Sequence, residues 1–265
     1  MTMYAFDFVR PASLADASAA LAKSGAKALA GGQSLVAAMK LRLAQPGTLV
    51  DLSQLAELKG ITKDSNSVTI GAMSTHAEVA DSSVVQGAIP ALAALASGIG
   101  DRQIRNMGTI GGSIAHNDPT ACYPAALLAL GAAVRTNRRT IVADDFFTGM
   151  FETALEQEEI ITSVSFPIPK KAAYVKFPNP ASRFALVGVF VAQTTDGVRV
   201  AVTGAASCAF RSKPLESALA KSFTADAAKA TTIGASGLNG DLHASPEYRA
   251  HLIPVLAARA VAAAG

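Results

Sequence analysis

Two short glycine-rich segments of one design, Ala30-Gly31-Gly32-Gln33-Ser34 and Thr109-Ile110-Gly111-Gly112-Ser113, constrain this chain more than any other feature. Each sets a Gly-Gly pair among small residues and ends on a hydroxyl or next to one. Paired glycines remove the side chains that would hold a ligand off the main chain, and they reach backbone angles other residues avoid. Successive free N–H groups in such a turn form a concave anion site. One such turn alone reads as a tight connection. Two alike imply a single ligand with two phosphates, gripped from both sides, and a dinucleotide meets that description.

The flanking sequence supports the reading. Lys27-Ala28-Leu29-Ala30 reads as a short strand entering the first turn, and Ser34 is placed to cap a helix over 35–43 that stops before Pro46-Gly47. Strand, glycine turn and helix start together suit phosphate. A helix dipole supplies only about 0.3–1 kcal/mol, so real affinity requires several N–H bonds and the second turn. A branched side chain at Gly32 or Gly111 would stand where phosphate approaches. Arg102 and Arg105, just before the second turn, read as solvated cations, with screening of the diphosphate charge as the alternative.

Elsewhere the pattern is mixed. Ser13 and Asp16 mark the start of a first helix that Gly25 ends. Strands are predicted over 48–52 and 67–71, a helix over 90–97, and a hairpin over 132–142 turning at Asn137-Arg138. Asp118-Pro119 reads as the cap and first position of a helix running to Gly131. Prolines between 167 and 180 predict a crossing between parts of the molecule. Beyond it, β-rich runs over 184–194 and 198–205 join at Asp196-Gly197, a hairpin signal. Helical stretches follow over 215–230 and 246–264, the second carrying Pro254.

Composition excludes several classes of function. The chain has 265 residues, half of them hydrophobic and 16% charged, with net charge +3, no Trp and no run of Lys or Arg, so it carries no nucleic-acid footprint. Its first residues lack the pattern of a signal peptide. The long uncharged segment between Asp81 and Asp101 contains Gln86 and Pro90 and reads as buried helix with loops rather than a membrane span. A cytoplasmic protein without a membrane span is expected. Cys122 and Cys208 are its only cysteines, too few to hold an ordinary iron–sulfur cluster. The four histidines show no metal-ligand spacing, and no metal is predicted. Neither G-x-G-x-x-G between strand and helix, nor a P-loop, nor G-x-S-x-G is present. No catalytic side chain stands out, as suits a protein whose bound cofactor carries the chemistry.

Taken in order, Ala30-Gly31-Gly32-Gln33-Ser34-Leu35 with Met39-Lys40, Gly71-Ala72-Met73-Ser74-Thr75-His76, and Asn106-Met107-Gly108-Thr109-Ile110-Gly111-Gly112-Ser113 with Asp118-Pro119 resemble the FAD-binding medium subunit of the molybdenum hydroxylases. That group includes xanthine dehydrogenase and aerobic carbon monoxide dehydrogenase. Glu159-Ile160-Ile161, Lys176, Ser182 to Val189 and Tyr248 to Leu252 extend the resemblance over nearly the whole chain. It implies an α+β fold: a two-lobed FAD-binding domain of the vanillyl-alcohol-oxidase (PCMH) type over 1–170, with lobes of about 1–55 and 56–170, then a small α/β domain over 171–265. It also implies that Ala28 to Leu35 (Ala28, Leu29, Ala30, Gly31, Gly32, Gln33, Ser34, Leu35) and Thr109 to Ser113 wrap the pyrophosphate and ribityl chain. Ile104 then lies along the cofactor, Ile161 near its flavin or adenine end, and Lys176 within reach of the flavin. Cys122 stands where many relatives carry an acidic residue, so that contact is lost or shifts to Asp118, because a thiol is a weak donor and a poor acceptor.

The resemblance implies non-covalent FAD on this chain. The molybdenum cofactor is expected on a large partner subunit and 2Fe-2S clusters on a small one, in a dimer of heterotrimers. Electrons would pass from the clusters to this flavin and on to oxygen, a quinone, NAD or a cytochrome. The alternatives are a free-standing FAD oxidoreductase acting directly on a small substrate, and a non-enzymatic nucleotide-binding module.

Overall fold

The computed structural model describes residues 3–264. The N-terminal strands β1 (Asp7–Val9), β2 (Ala26–Leu29) and β3 (Thr48–Asp51) form a parallel sheet in the order β1-β3-β2. Parallel neighbours need crossovers, and helices α1 (Leu14–Leu21) and α2 (Leu35–Lys40) lie in them. Ser13 caps α1 by accepting from the Asp16 N–H, and Ala17, Ala20 and Leu21 on its inner face are buried. Gly25 follows at φ +74°, past the helix end.

The second sheet is antiparallel. It collects β4 (Ile61–Lys63), β5 (Ser67–Gly71), β6 (Ala133–Thr136), β7 (Thr140–Val142) and, from beyond the β8 (Phe147–Gly149) and β9 (Glu152–Thr153) ribbon, β10 (Ile161–Pro167), in the order β4-β5-β10-β6-β7. Between β5 and β6 run six helices: α3 (His76–Asp81), α4 (Ser83–Ala88), α5 (Pro90–Ser97), α6 (Arg102–Met107), α7 (Ile110–His116) and α8 (Tyr123–Leu130). Every residue of α8 is buried, so it is a core helix apolar on all sides. One more short helix, α9 (Ala143–Phe146), leads into the β8–β9 ribbon.

A third sheet, β11 (Lys171–Pro178), β12 (Ala185–Thr194), β13 (Gly197–Thr203) and β14 (Phe210–Arg211), is antiparallel in chain order. Val187, Val189 and Val191 of β12 join the core with α10 (Lys213–Lys221), α11 (Ala225–Lys229) and α12 (Pro246–Ala263), whereas Phe190 and Ala192 join the core with α8. Burial on both faces explains why β12 reads as a continuous apolar run without alternation. Arg249 of α12 is 2% exposed and donates to the carbonyls of Leu186 and Gly204, while its Nη2 pairs with Asp241 at 2.7 Å.

Several local expectations need correction. The helix after the first glycine turn stops at Lys40, because Arg42 takes a left-handed φ of +60°. Ser34 does not cap it, since its backbone is already helical and its side chain makes no cap bond. The Asp118 side chain accepts from the N–H and hydroxyl of Thr120, closing a local turn, and α8 begins only at Tyr123 with Pro124 in its first turn. The segment read as a proline-rich crossing contains the eight-residue strand β11, paired with β12 along its length. The predicted helix over 215–230 is two helices parted at Ser222 to Thr224.

Candidate cofactor site

The two glycine segments meet. A Cβ on Gly31 would stand 2.0 Å from the Met107 carbonyl oxygen and 2.7 Å from the Gly108 Cα. A Cβ on Gly112 would come 3.4 Å from the Ala30 Cβ. Only glycine allows this approach of main chain to main chain. The third motif, Gly71 to His76, anchors the second segment: Gly111 N–H donates to the Ala72 carbonyl at 2.8 Å, Ile110 N–H to Ser74, and His76 N–H to Gly108. His76 is buried beneath Gly108; burial, and secondarily the Arg105 charge, lower its pKa to about 4, so it is neutral.

The two segments differ in what they offer a ligand. Among the described residues, the main-chain N–H groups of Gly31, Gly32, Gln33, Ser34 and Leu35 meet no acceptor, and Gly32 holds φ +72°. Five successive unpaired donors at the surface form an anion cradle. The second segment is no such cradle. It is the first turn of α7, where Thr109 caps the Gly112 N–H at 3.1 Å and the N–H of Ser113 bonds to the Thr109 carbonyl. With Ile110 and Gly111 also bonded, the N–H groups of residues 110–113 are spent inside the protein. Its glycines serve packing: a Cβ on Gly111 would meet Ala72 at 2.6 Å. What it presents to a ligand is the Ser113 hydroxyl, half-buried and without a partner among the described residues.

The remaining predicted residues lie as follows. Ala28 and Leu29 are on β2, Leu35 opens α2, and Ile104 is on α6, resting on Gly100, where a Cβ would come 2.9 Å from its side chain. Lys176 of β11 and Cys122 at the head of α8 are together, Nζ to Sγ 3.7 Å. Lys176 also donates to the carbonyls of Gly98 at 2.8 Å and Arg183 at 3.0 Å. Cys122 is 6% exposed and adjoins the hydroxyl of Tyr174, whose pKa burial and then the thiol raise. Asp118 lies in the turn before α8, its side chain engaged with Thr120. Ile161 is buried in the hydrophobic core that α8 shares with the second sheet, and the next carbonyl, of Thr162, accepts from the Ala72 N–H. Just before it, Glu159 is locked by Arg139, whose hydrogen bond leads in holding its carboxyl down to about 2, with Thr136 at 2.7 Å.

The sequence reading missed the element that connects Lys176 to the glycine segments. The turn Gly98-Ile99-Gly100 accepts from Lys176 and leads into helix α6, whose end meets Gly31, and Arg105 is tied to this turn rather than solvated. The paired glycines at 98 and 100 were the available signal.

The residues fit FAD on this geometry. A free N–H arc can take a diphosphate, charge-assisted bonds to such donors being worth about 1.5–3 kcal/mol each, and free hydroxyls and a lysine lie beyond it. The family described as FAD binding domain in molybdopterin dehydrogenase matches residues 4–169. The chain is 37% identical to the nicotine 6-hydroxylase medium subunit of Paenarthrobacter nicotinovorans, over 100% of this chain and 99% of that one. It is 36% identical to the carbon monoxide dehydrogenase medium chain of Hydrogenophaga pseudoflava, over 98% of this chain and 96% of that one. A structure of reconstituted carbon monoxide dehydrogenase from Oligotropha carboxidovorans matches with TM-score 0.92 at 32% identity, covering 100% of this chain and 99% of that one. These relatives are named as medium chains or subunits, which favours a subunit over a free-standing oxidoreductase. The chain belongs to the FAD-binding medium subunits of the molybdenum hydroxylases.

Proposed function

We propose that this chain holds one FAD non-covalently and relays electrons from 2Fe-2S clusters of a small partner to an external acceptor. A large molybdenum-binding partner supplies those electrons by oxidising substrate. The observation that carries the reading is the run of unpaired N–H groups from Gly31 to Leu35, packed through Gly31 against Met107 and Gly108 just before the second glycine segment. Bound FAD supplies the redox chemistry. The chain's own residues hold and orient it: the N–H arc takes the diphosphate, and the Ser34 and Ser113 hydroxyls add donors for phosphate or ribityl oxygens. Ile104 lies along the cofactor. The other residues named from the resemblance, Ala28 to Ala30, Thr109 to Gly112, Asp118, Cys122 and Ile161, belong to the same reading as residues that line or support the cofactor. Lys176, beside Cys122, places a positive charge that favours negative charge on the ring. No side chain is assigned proton abstraction, since electron transfer depends on distance and potential.

The proposal includes a division into a FAD-binding domain over 1–170, with lobes of about 1–55 and 56–170, and a C-terminal domain over 171–265. The distribution of the three large sheets supports it, with strands within 7–51, 61–167 and 171–211. Assembly as a dimer of heterotrimers in the cytoplasm belongs to the same reading; among the described residues no helix is long and apolar enough to cross a membrane. Co-purification with the partner chains, followed by a visible spectrum and metal analysis, tests it. One FAD per medium chain, with molybdenum and iron on the other chains, is expected. A complex without flavin, or an isolated chain whose flavin an organic substrate reduces, would refute it.

A further inference from the structure

Three consecutive carbonyls at the C-terminal end of α5 are each held by a cation from another element. Lys176 donates to Gly98, and Nη1 of Arg105 donates to both Ile99 and Gly100 at 3.0 Å. Both bonds come from one nitrogen, Nη1, whose two N–H groups serve the two carbonyls. The turn it holds is tight, with Gly100 at φ +50° directly under the Ile104 side chain. Asp101 then caps α6 by accepting from the Ile104 N–H at 2.8 Å, and the Ile104 carbonyl accepts from Gly108 at 2.7 Å. The end of α6 is the Met107 carbonyl that fills the space of a Gly31 side chain. A chain of contacts therefore runs from Arg105 through the Gly98 to Gly100 turn and Ile104 to the anion cradle.

We infer that Arg105 is a positioning residue for FAD: it locks the turn that seats Ile104 and α6 against the first glycine segment, and acts through them rather than by pairing with the diphosphate. The inference rests on the FAD reading above. It is tested in the assembled complex by the dissociation constant for FAD as a function of salt. Arg105→Met is expected to weaken FAD retention about tenfold or more while leaving the salt dependence as in the parent. Ile104→Ala weakens retention by itself but adds little in the Arg105→Met background, because residues acting in one chain of contacts are non-additive. Arg105→Lys keeps the charge on a side chain one bond shorter, so its ammonium falls short of the place of Nη1 between the two carbonyls and it too loses retention several-fold; this variant decides the matter should Arg105→Met fail to assemble. A flattened salt dependence in Arg105→Met, parent-like retention in Arg105→Lys, or additive effects of the Ile104 and Arg105 substitutions would each overturn the inference. A parent complex without FAD would instead refute the functional reading beneath it.

Discussion

Substituting Gly31 by alanine adds one methyl group at the tightest point of the site. That Cβ would stand 2.0 Å from the Met107 oxygen and 2.7 Å from both the Met107 carbonyl carbon and the Gly108 Cα, and all three are main-chain atoms with no rotamer to give way. A comfortable C···O approach is about 3.3 Å, so the first glycine segment and α6 must part by about 1.3 Å. Forced overpacking of this kind costs about 1–3 kcal/mol of stability. The effect on cofactor is larger. A displacement beyond 1 Å takes N–H groups of the Gly31 to Leu35 arc out of register with a diphosphate, and losing two charge-assisted bonds forfeits about 3–6 kcal/mol. That corresponds to FAD retention weaker by about 10²- to 10⁴-fold. The assay is the flavin absorbance of the assembled complex after gel filtration, with FAD titrated back into any stripped sample. Gly87→Ala is the control, since nothing lies within 4 Å of its added Cβ, and it should retain flavin like the parent. A Gly31→Ala complex that is folded and holds FAD with parental affinity would refute the argument that this contact shapes the cradle.

Two further expectations concern stability. His76 is buried with its pKa lowered to about 4 from 6.5, first by burial and then by the Arg105 charge. The unfolded chain therefore takes up a proton between those values that the folded chain refuses, and stability must fall as pH drops from about 6.5 to about 4. Denaturation midpoints across that range should show a slope that His76→Gln reduces; an unchanged slope would dismiss His76 as its source. Arg249→Leu strands the buried carbonyls of Leu186 and Gly204, while Asp241 stays solvated and bonded to the His243 and Ala244 N–H groups. Leaving a buried acceptor unsatisfied costs about 1–3 kcal/mol, and a loss below about 1 kcal/mol by urea denaturation would contradict the role assigned to Arg249.

The second glycine pair shows where reading from sequence reaches its limit. Gly111-Gly112 looks like Gly31-Gly32, yet its N–H groups serve helix α7 and the Gly71 to His76 segment. A valine at Gly111 would strike Ala72 at the place of its own Cβ, 2.6 Å away, so it endangers packing before it reaches a ligand. Similarly, Asp118-Pro119 carries a helix-start signal that the Asp118 to Thr120 turn uses up before α8 begins. In the first case the partners come from a distant part of the chain; in the second a neighbour two residues on takes the acceptor that a helix would have used.

By itself, then, the sequence determined those features that depend on near neighbours. These include the strands over 48–51 and 67–71, helix α5 with its bounds, the Asp196-Gly197 hairpin, and the identity of the small residues that permit close approach. Tertiary structure alone decided which glycine segment keeps its donors free, that Arg105 faces the Gly98 to Gly100 turn, and that Lys176 donates to the Gly98 carbonyl. The physical reason is that a backbone N–H or a cation has one set of bonds to give. Which acceptor receives them depends on what the fold brings within about 3 Å, and spacing along the chain carries no record of that distance.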